Sequence, residues 1–439
     1  MYCHPFNFIG AKAMLAIIGF VLLSGLARAD EPESATTQAA LEAYELGNAE
    51  SKKGNFDAAI AAYTKAINLN PGACMAYGYR GIAYEEIGDY PKALSDYTAA
   101  IELKPDAPIA SALYSDRGYM REQHGEFTAA FSDYNKAIEL DPKNNNVLFR
   151  RGMTLAQKGK LQEAVIDFTT ACEIDPSEYR SYMGRAMARA TLSDFEGALT
   201  DITQAIKLSP NNSGCYLSYG YVLRKKRDYS AAISALTKAV DFTTSPATAL
   251  STRAHTYTLM GDFANALTDL NRVLVISPNF SRAYVHIGDI YFIEGNLPDA
   301  LSAYRKAQSI ERRRHRVRYA GLKADLLALR IEGVVPKEVF VSGEEGPDED
   351  WSKSLERFVR GESSEKDLLD NATRGPSHLF APHLAEAHFY IGELAIVKGD
   401  LRKARSSFEQ SIATDRVDAI EYHFSKAELA RLVEQKAEG

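Results

Sequence analysis

Five arginines, Arg80, Arg117, Arg151, Arg185 and Arg253, are each followed sixteen residues later by an aspartate: Asp96, Asp133, Asp167, Asp201 and Asp269. A guanidinium and a carboxylate at fixed separation can form an ion pair, and burial decides what the pair is worth. His255, His286 and Asp289 are a donor set that a metal could use, with polar contact to a ligand as the competing reading. His378, His383 and His388 are spaced by five, which puts them on different sides of a helix. There is no H-E-x-x-H, no G-x-S-x-G and no G-x-x-x-x-G-K-(S/T), and the ionisable residues are spread along the chain. The expectation is a binding protein with no catalytic residues, cofactor or metal.

These residues are positioned by a recurring phrase: a small residue, then G-(D/N)-(F/Y)-x-x-A, then (Y/F)-x-x-A-(I/L)-x-L-x-P. Its first small residue falls at Gly47, Gly81, Gly118, Gly152, Ala186, Gly220, Ala254 and Gly288. The interval is 34 throughout, except for 37 between Gly81 and Gly118, where the extra residues lie near Asp106–Ala110. Repeat two shows the logic. Helix A is predicted at about Met75–Ile87, closed by Gly88, and helix B at about Pro91–Leu103, stopped by Pro105. Gly81 and Ala93 are the predicted contact between the two helices, with Tyr97 and Ala100 facing the next repeat. With the first small residue as position eight, the arginines take position seven and the aspartates position 23. Three repeats lack both members: Leu46/Ala62, Tyr219/Ala235 and Ile287/Ala303. The shared absence predicts an ion pair between helices A and B of one repeat.

A 34-residue period with this content resembles the tetratricopeptide repeat superfamily over Ala40–Ile310, eight repeats in all. The resemblance implies an all-α, right-handed solenoid of helix-turn-helix units, whose groove is lined mainly by A helices and holds other proteins. Projecting positions five, six, nine, twelve and thirteen onto that groove gives Glu85, Glu86, Asp116 and Glu122 in repeats two and three. Repeats four and five give Phe149, Arg150, Met153, Met183 and Met187, and repeat six gives Tyr221, Arg224 and Lys225. The groove therefore reads acidic, then apolar with sulfur side chains, then basic. Methionines suit adaptable binding surfaces, although packing against neighbouring helices competes with that reading. A bound segment is expected to lie with its basic end near repeats two and three.

The first 29 residues read as a secretory signal: Lys12, an apolar run Ala13–Leu26, and an Ala27-Arg28-Ala29 site before Asp30. The run is too short for a comfortable membrane span, and no other stretch is longer, so no transmembrane span is expected. Cleavage would remove Lys12 and Arg28 and no acid, taking the net charge from −7 to −9. That balance argues against nucleic acid as a partner. Cys74, Cys172 and Cys215 then remain, in three non-adjacent repeats, and read as free thiols.

After repeat eight come a basic run near Arg312, a predicted helix at Tyr319–Arg330, and an irregular segment with an acidic loop, Glu344–Asp350. Helices at Trp351–Val359 and Ser364–Ala372, a ninth repeat over Ala385–Arg416 and a closing helix Ile420–Leu432 complete the chain. The domain map is thus 1–29 signal, 40–310 eight repeats, 311–384 irregular helical segment, and 385–439 ninth repeat with capping helix. Trp351, the Phe358-Val359-Arg360-Gly361-Glu362-Ser363-Ser364 segment and Glu386-Ala387-His388-Phe389-Tyr390-Ile391-Gly392 resemble the bacterial new-lipoprotein-I family of periplasmic adaptors. That resemblance implies a scaffold for peptidoglycan hydrolases and proteases. This chain departs from it in having no cysteine after the apolar run and in carrying more repeats. A structural subunit of an envelope or export assembly is the alternative.

Overall fold

The computed structural model describes residues 35–312, 319–333, 349–374, 379–416 and 419–438. The expected signal at 1–29, the basic residues Arg313 to Arg318, the acidic residues Glu344 to Asp348, and His378 lie outside the described residues. Every regular element among the described residues is a helix. The chain divides into two units, 1–185 and 186–439.

Unit 1 contains the helix pairs α1/α2 (Ala35–Lys52, Phe56–Leu69), α3/α4 (Cys74–Glu86, Tyr90–Glu102), α5/α6 (Ala107–Gln123, Phe127–Leu140) and α7/α8 (Asn145–Gln157, Leu161–Ile174). The division falls within α9 (Tyr179–Thr191). Unit 2 continues with α10 (Phe195–Leu208) and the pairs α11/α12 (Ser213–Lys225, Tyr229–Asp241), α13/α14 (Ala247–Met260, Phe263–Ile276) and α15/α16 (Ser281–Glu294, Leu297–Arg312). Then follow α17 (Tyr319–Glu332), α18 (Glu349–Val359), α19 (Glu365–Ala372), the pair α20/α21 (Phe380–Val397, Leu401–Ala413) and α22 (Ile420–Glu438). No described helix is long and apolar enough to cross a membrane.

The G-D step of the phrase makes the turn inside each pair. Gly88 takes φ +79°, a conformation that costs a side-chain-bearing residue, and Asp89 then accepts the Lys92 N–H as the N-cap of α4. Asp194, Asp228, Asp262 and Asp400 cap later B helices in the same way. Helix-to-helix packing rests on the small residue at position eight. A Cβ added at Gly47 would come within 2.5 Å of the Tyr63 ring, and one at Gly392 within 2.4 Å of Phe408. Tyr97 accordingly lies over Gly81 of its own repeat and also shares a core cluster with Ile109 and Leu113 of the next one. Position 20 is a fully buried alanine in repeat after repeat: Ala59, Ala93, Ala130 and Ala164 in unit 1, and Ala198, Ala232, Ala266 and Ala300 in unit 2. The inserted residues near Asp106 do not make a loop. They lengthen α5 to 17 residues, started by Asp106 as N-cap with a proline in the first turn.

Unit 2 ends in an aromatic core. Phe292, Tyr304, Trp351, Phe389, Phe408 and Phe424 pack together there. Arg330 of α17 is held by Glu393 of α20 and Glu428 of α22, each at 2.9 Å, which ties three non-consecutive helices together. Cys74, Cys172 and Cys215 form no disulfide among the described residues, and the last two are buried.

Candidate functional site

Four of the arginine–aspartate pairs are seen to meet, and they do more than join two helices. Arg80 Nε and Nη2 each donate at 2.8 Å to the two oxygens of Asp96. Arg117, Arg151 and Arg253 make the same fork to Asp133, Asp167 and Asp269 at 2.7–3.0 Å. The remaining nitrogen, Nη1, reaches back to position 25 on the B helix of the preceding repeat. Arg80 donates to Thr64, Arg117 to Thr98, Arg151 to Asn135, Arg185 to Thr169 and Arg253 to Thr237, all at 2.8–3.2 Å. Each of these Arg–Asp contacts lies within one repeat, and the bond to position 25 is an additional contact to the neighbour. The planar guanidinium has donors enough to satisfy both carboxylate oxygens and still cross to the neighbour. Asp201 accepts from Arg189 at 2.8 Å within unit 2.

A second recurring bond supports the A-helix face of unit 1. The ring at position 24 is buried, and where it is a tyrosine its hydroxyl needs a partner. Tyr97 donates to Glu85 Oε2 at 3.2 Å and Tyr134 to Glu122 Oε2 at 2.8 Å. Thr154, on the next A helix, also donates to Glu122 at 2.8 Å. Position 24 in repeat four is Phe168, and position twelve there is Ala156: no phenol and no carboxylate. Sequence reading placed these glutamates on the face without noticing what holds them. The signal was available as the joint occurrence of tyrosine at 24 and an acid at twelve.

The other projected residues behave differently. Asp116 and Arg150 are 7% and 6% exposed and pair with each other at 3.1 Å. Arg150 also donates to the Ser115 carbonyl at 3.2 Å and lies 4.8 Å over the Tyr119 ring. Phe149 and Met183 are 4% and 3% exposed, so both are packing residues; position five turns toward a neighbouring helix. Glu85, Glu122 and Met153 are partly exposed and Glu86 is exposed. Burial pushes the Glu85 carboxyl up to about 7, with the nearby Asp116 carboxylate adding to the effect. The net result is an acidic face whose buried guanidinium, Arg150, is already committed to Asp116.

In unit 2, Met187, Tyr221, Arg224 and Lys225 are all partly exposed. Tyr221 and Thr191 share a hydroxyl–hydroxyl bond of 3.0 Å, and the Arg224 guanidinium lies 5.6 Å from the Tyr221 ring centre. His255 and His286 stack with their centroids 5.3 Å apart. Asp289 is spent on Tyr304 and Lys323, which both donate to it at 2.7 Å. No group of three His, Cys, Asp or Glu among the described residues is placed to hold a metal. The A-helix positions of repeat eight are covered by the chain itself. Phe292 lies 4.5 Å from Phe424 of α22, and Arg431 of α22 donates to the Phe292 carbonyl and, at 2.9 Å, to that of Ile293.

Compared with known proteins, the chain matches the tetratricopeptide repeat family at residues 44–108, 116–179, 183–246 and 253–314, more than half its length. It is similar to a solved tetratricopeptide repeat protein from Parabacteroides merdae ATCC 43184. There the identity is 19% and the TM-score 0.50, covering 58% of this chain and 98% of that one. It is also similar to the C-terminal part of a repeat-containing protein from Cytophaga hutchinsonii, at 18% identity and TM-score 0.40, covering 55% of this chain and 97% of that one. A third similar structure is a thermophilic protein of the same repeat type from Thermus thermophilus, at 20% identity and TM-score 0.37, covering 40% of this chain and 95% of that one.

Proposed function

This chain belongs to the tetratricopeptide repeat family, and from that premise we propose that it is a scaffold whose partner docks on the A-helix face of unit 1. Repeats of this family generally mediate protein–protein interaction. One observation carries the reading: Glu85 and Glu122 are held by buried phenols yet left partly open, with exposed Glu86 beside them. Fixed carboxylates whose neighbouring guanidinium is spent on Asp116 favour a basic segment of a protein partner. Charge of this kind sets orientation and on-rate, and partly exposed Met153 and Tyr119 offer apolar contact beside it.

The finer reading places the protein in the periplasm, as an adaptor for peptidoglycan-remodelling enzymes or their proteases. It is supported by the Ala27-Arg28-Ala29 site and by the likeness of the Phe358–Ser364 segment to periplasmic adaptors. The test is capture from envelope extract with wild-type protein and with Glu85→Lys/Glu122→Lys, each checked for folding. A partner held by the first and lost by the second supports the proposal. Equal recovery by both moves the docking face elsewhere.

A further inference from the structure

The joint between α18 and α19 gathers polar groups, three of which, Arg357, Ser363 and Arg374, are not spent on the others. The two helices pack through Leu355, Phe358, Leu368 and Ala372. Beside that apolar seam, Ser354 and Arg357 of α18, Ser363 of the turn, and the stripe Asp367, Asp370, Asn371 and Arg374 line a cavity of about 260 Å³. Asp367, Asp370 and Asn371 follow helical spacing, at i, i+3 and i+4, so one side of α19 is committed to this cavity, and Arg374 joins them from just past the helix end.

The hydrogen bonds leave a specific remainder. Asp367 Oδ2 accepts the Ser364 N–H at 3.1 Å and its hydroxyl at 2.6 Å, closing the N-terminal cap of α19. Asp370 accepts from Lys366 at 2.8 Å, and Asn371 donates to Ser354 at 3.3 Å. Arg357 is near enough to Asp367 to help hold that carboxyl low, after the bonds from Ser364. Neither Arg357 nor Arg374 has a side-chain hydrogen bond or ion pair among the described residues. The Ser363 hydroxyl is buried there with no partner. Two guanidiniums and two carboxylates line the cavity; the carboxylates already accept from Ser364 and Lys366, and the guanidiniums keep their donors.

An unsatisfied buried hydroxyl costs about 1–3 kcal/mol, which an oxygen acceptor in the cavity would recover. Two guanidiniums beside it are suited to an oxyanion held by paired N–H bonds. The volume fits one side chain or a chain end, below the roughly 300 Å³ at which sites for whole small molecules begin. The two fixed aspartates disfavour a dianion. We propose that this cavity is a carboxylate-binding subsite, taking a chain terminus or an acidic side chain of a docked protein, with Arg357 and Arg374 as the fork and Ser363 as the third donor. It is independent of the acidic face of unit 1 and opposite to it in charge preference.

The test uses the purified chain and two probes observed by ligand NMR, acetyl-Ala-Ala for a terminal carboxylate and acetyl-Glu-amide for a side-chain one. At least one should bind saturably, with Kd on the order of 1 mM. Arg357→Ala, Arg374→Ala and Ser363→Ala should each weaken binding, the arginine changes by tenfold or more. Arg374→Lys, which keeps the charge and loses the fork, should fall between. Both arginines are exposed, so these variants keep the fold, and Arg402→Ala on α21 should bind as wild type does. Which probe wins identifies the source of the carboxylate. No saturable binding of either probe, equal binding by the arginine variants, or tighter binding of inorganic phosphate than of both probes would each overturn the proposal.

Discussion

Arg117 holds both carboxylate oxygens of Asp133, at 3.0 and 2.8 Å, and extends its third nitrogen 3.2 Å to Thr98 on the repeat before. One side chain thereby fixes the angle between helices A and B and the join between repeats. In a solenoid, stability is a sum of units and of interfaces between neighbours, and this contact contributes to both.

Breaking the pair from either side should therefore be costly. Arg117→Leu leaves Asp133 buried beside Arg121, which donates to it at 2.7 Å, so that change is partly compensated. Asp133→Ala removes the acceptor of both Arg117 and Arg121 and leaves Arg117 only its bond to Thr98. The double variant should lose less than the sum of the singles, with a coupling of about 0.5–3 kcal/mol in denaturant unfolding. Strict additivity would show that the contact carries no energy of its own. Thr98→Val should cost about 1 kcal/mol, the ordinary worth of one hydrogen bond.

Position eight gives a steric prediction. Gly392→Ala puts a methyl group 2.4 Å from the Phe408 ring, and neither helix can retreat without disturbing the aromatic core. A loss of about 1–3 kcal/mol is expected in thermal or urea melts. Phe408→Leu in the same chain should restore part of it. If the second change only adds to the damage, the clash is not what destabilises the first.

The stacked histidines predict acid sensitivity in unit 2. Burial pushes His286 down to about 4, and burial with the Arg224 charge depresses His255 as well. Asp289 opposes the shift at His286, and Arg282, Lys323 and Arg224 add to it. A histidine lowered on folding takes up its proton more readily when unfolded, so stability falls as pH drops from about 6.5 toward 4. Trp351, the single tryptophan of the chain, lies buried in unit 2 and reports its unfolding. His286→Phe should flatten the slope in that window. An unchanged slope would assign the acid sensitivity to other groups.

Much of the fold is legible because the same contact recurs. Gly81, Gly118 and Gly152 each meet a ring sixteen residues later, so spacing alone locates the helices and their packing. The Arg117–Asp133 separation reads for the same reason, since both residues sit on one repeat. Thr98 does not, because its hydroxyl looks like any surface threonine until the neighbouring repeat is docked. Phe149 and Met183 project onto the groove by register, yet whether position five is open depends on how closely the next helix approaches. The covering of Phe292 and Ile293 is least legible of all: Arg431 comes from 138 residues away, and no local pattern announces it.

The acidic face of unit 1 is the centre of the functional account, and Glu85 offers its most direct measurement. Its carboxyl, raised to about 7, is partly protonated at neutral pH, and a bound cation would drive the proton off. Binding of a basic segment should therefore strengthen as pH rises through 7, with proton release below that point. Calorimetry of the peptide acetyl-(Lys-Ala)₄-amide at pH 6 and pH 8, in buffers of different ionisation enthalpy, reads both quantities. The account predicts affinity up to about tenfold higher at pH 8 and net proton release at pH 6. Glu85→Gln should abolish the release, and Glu122→Gln should weaken binding at both values. Equal affinity at the two pH values, together with unchanged binding in both variants, would contradict it.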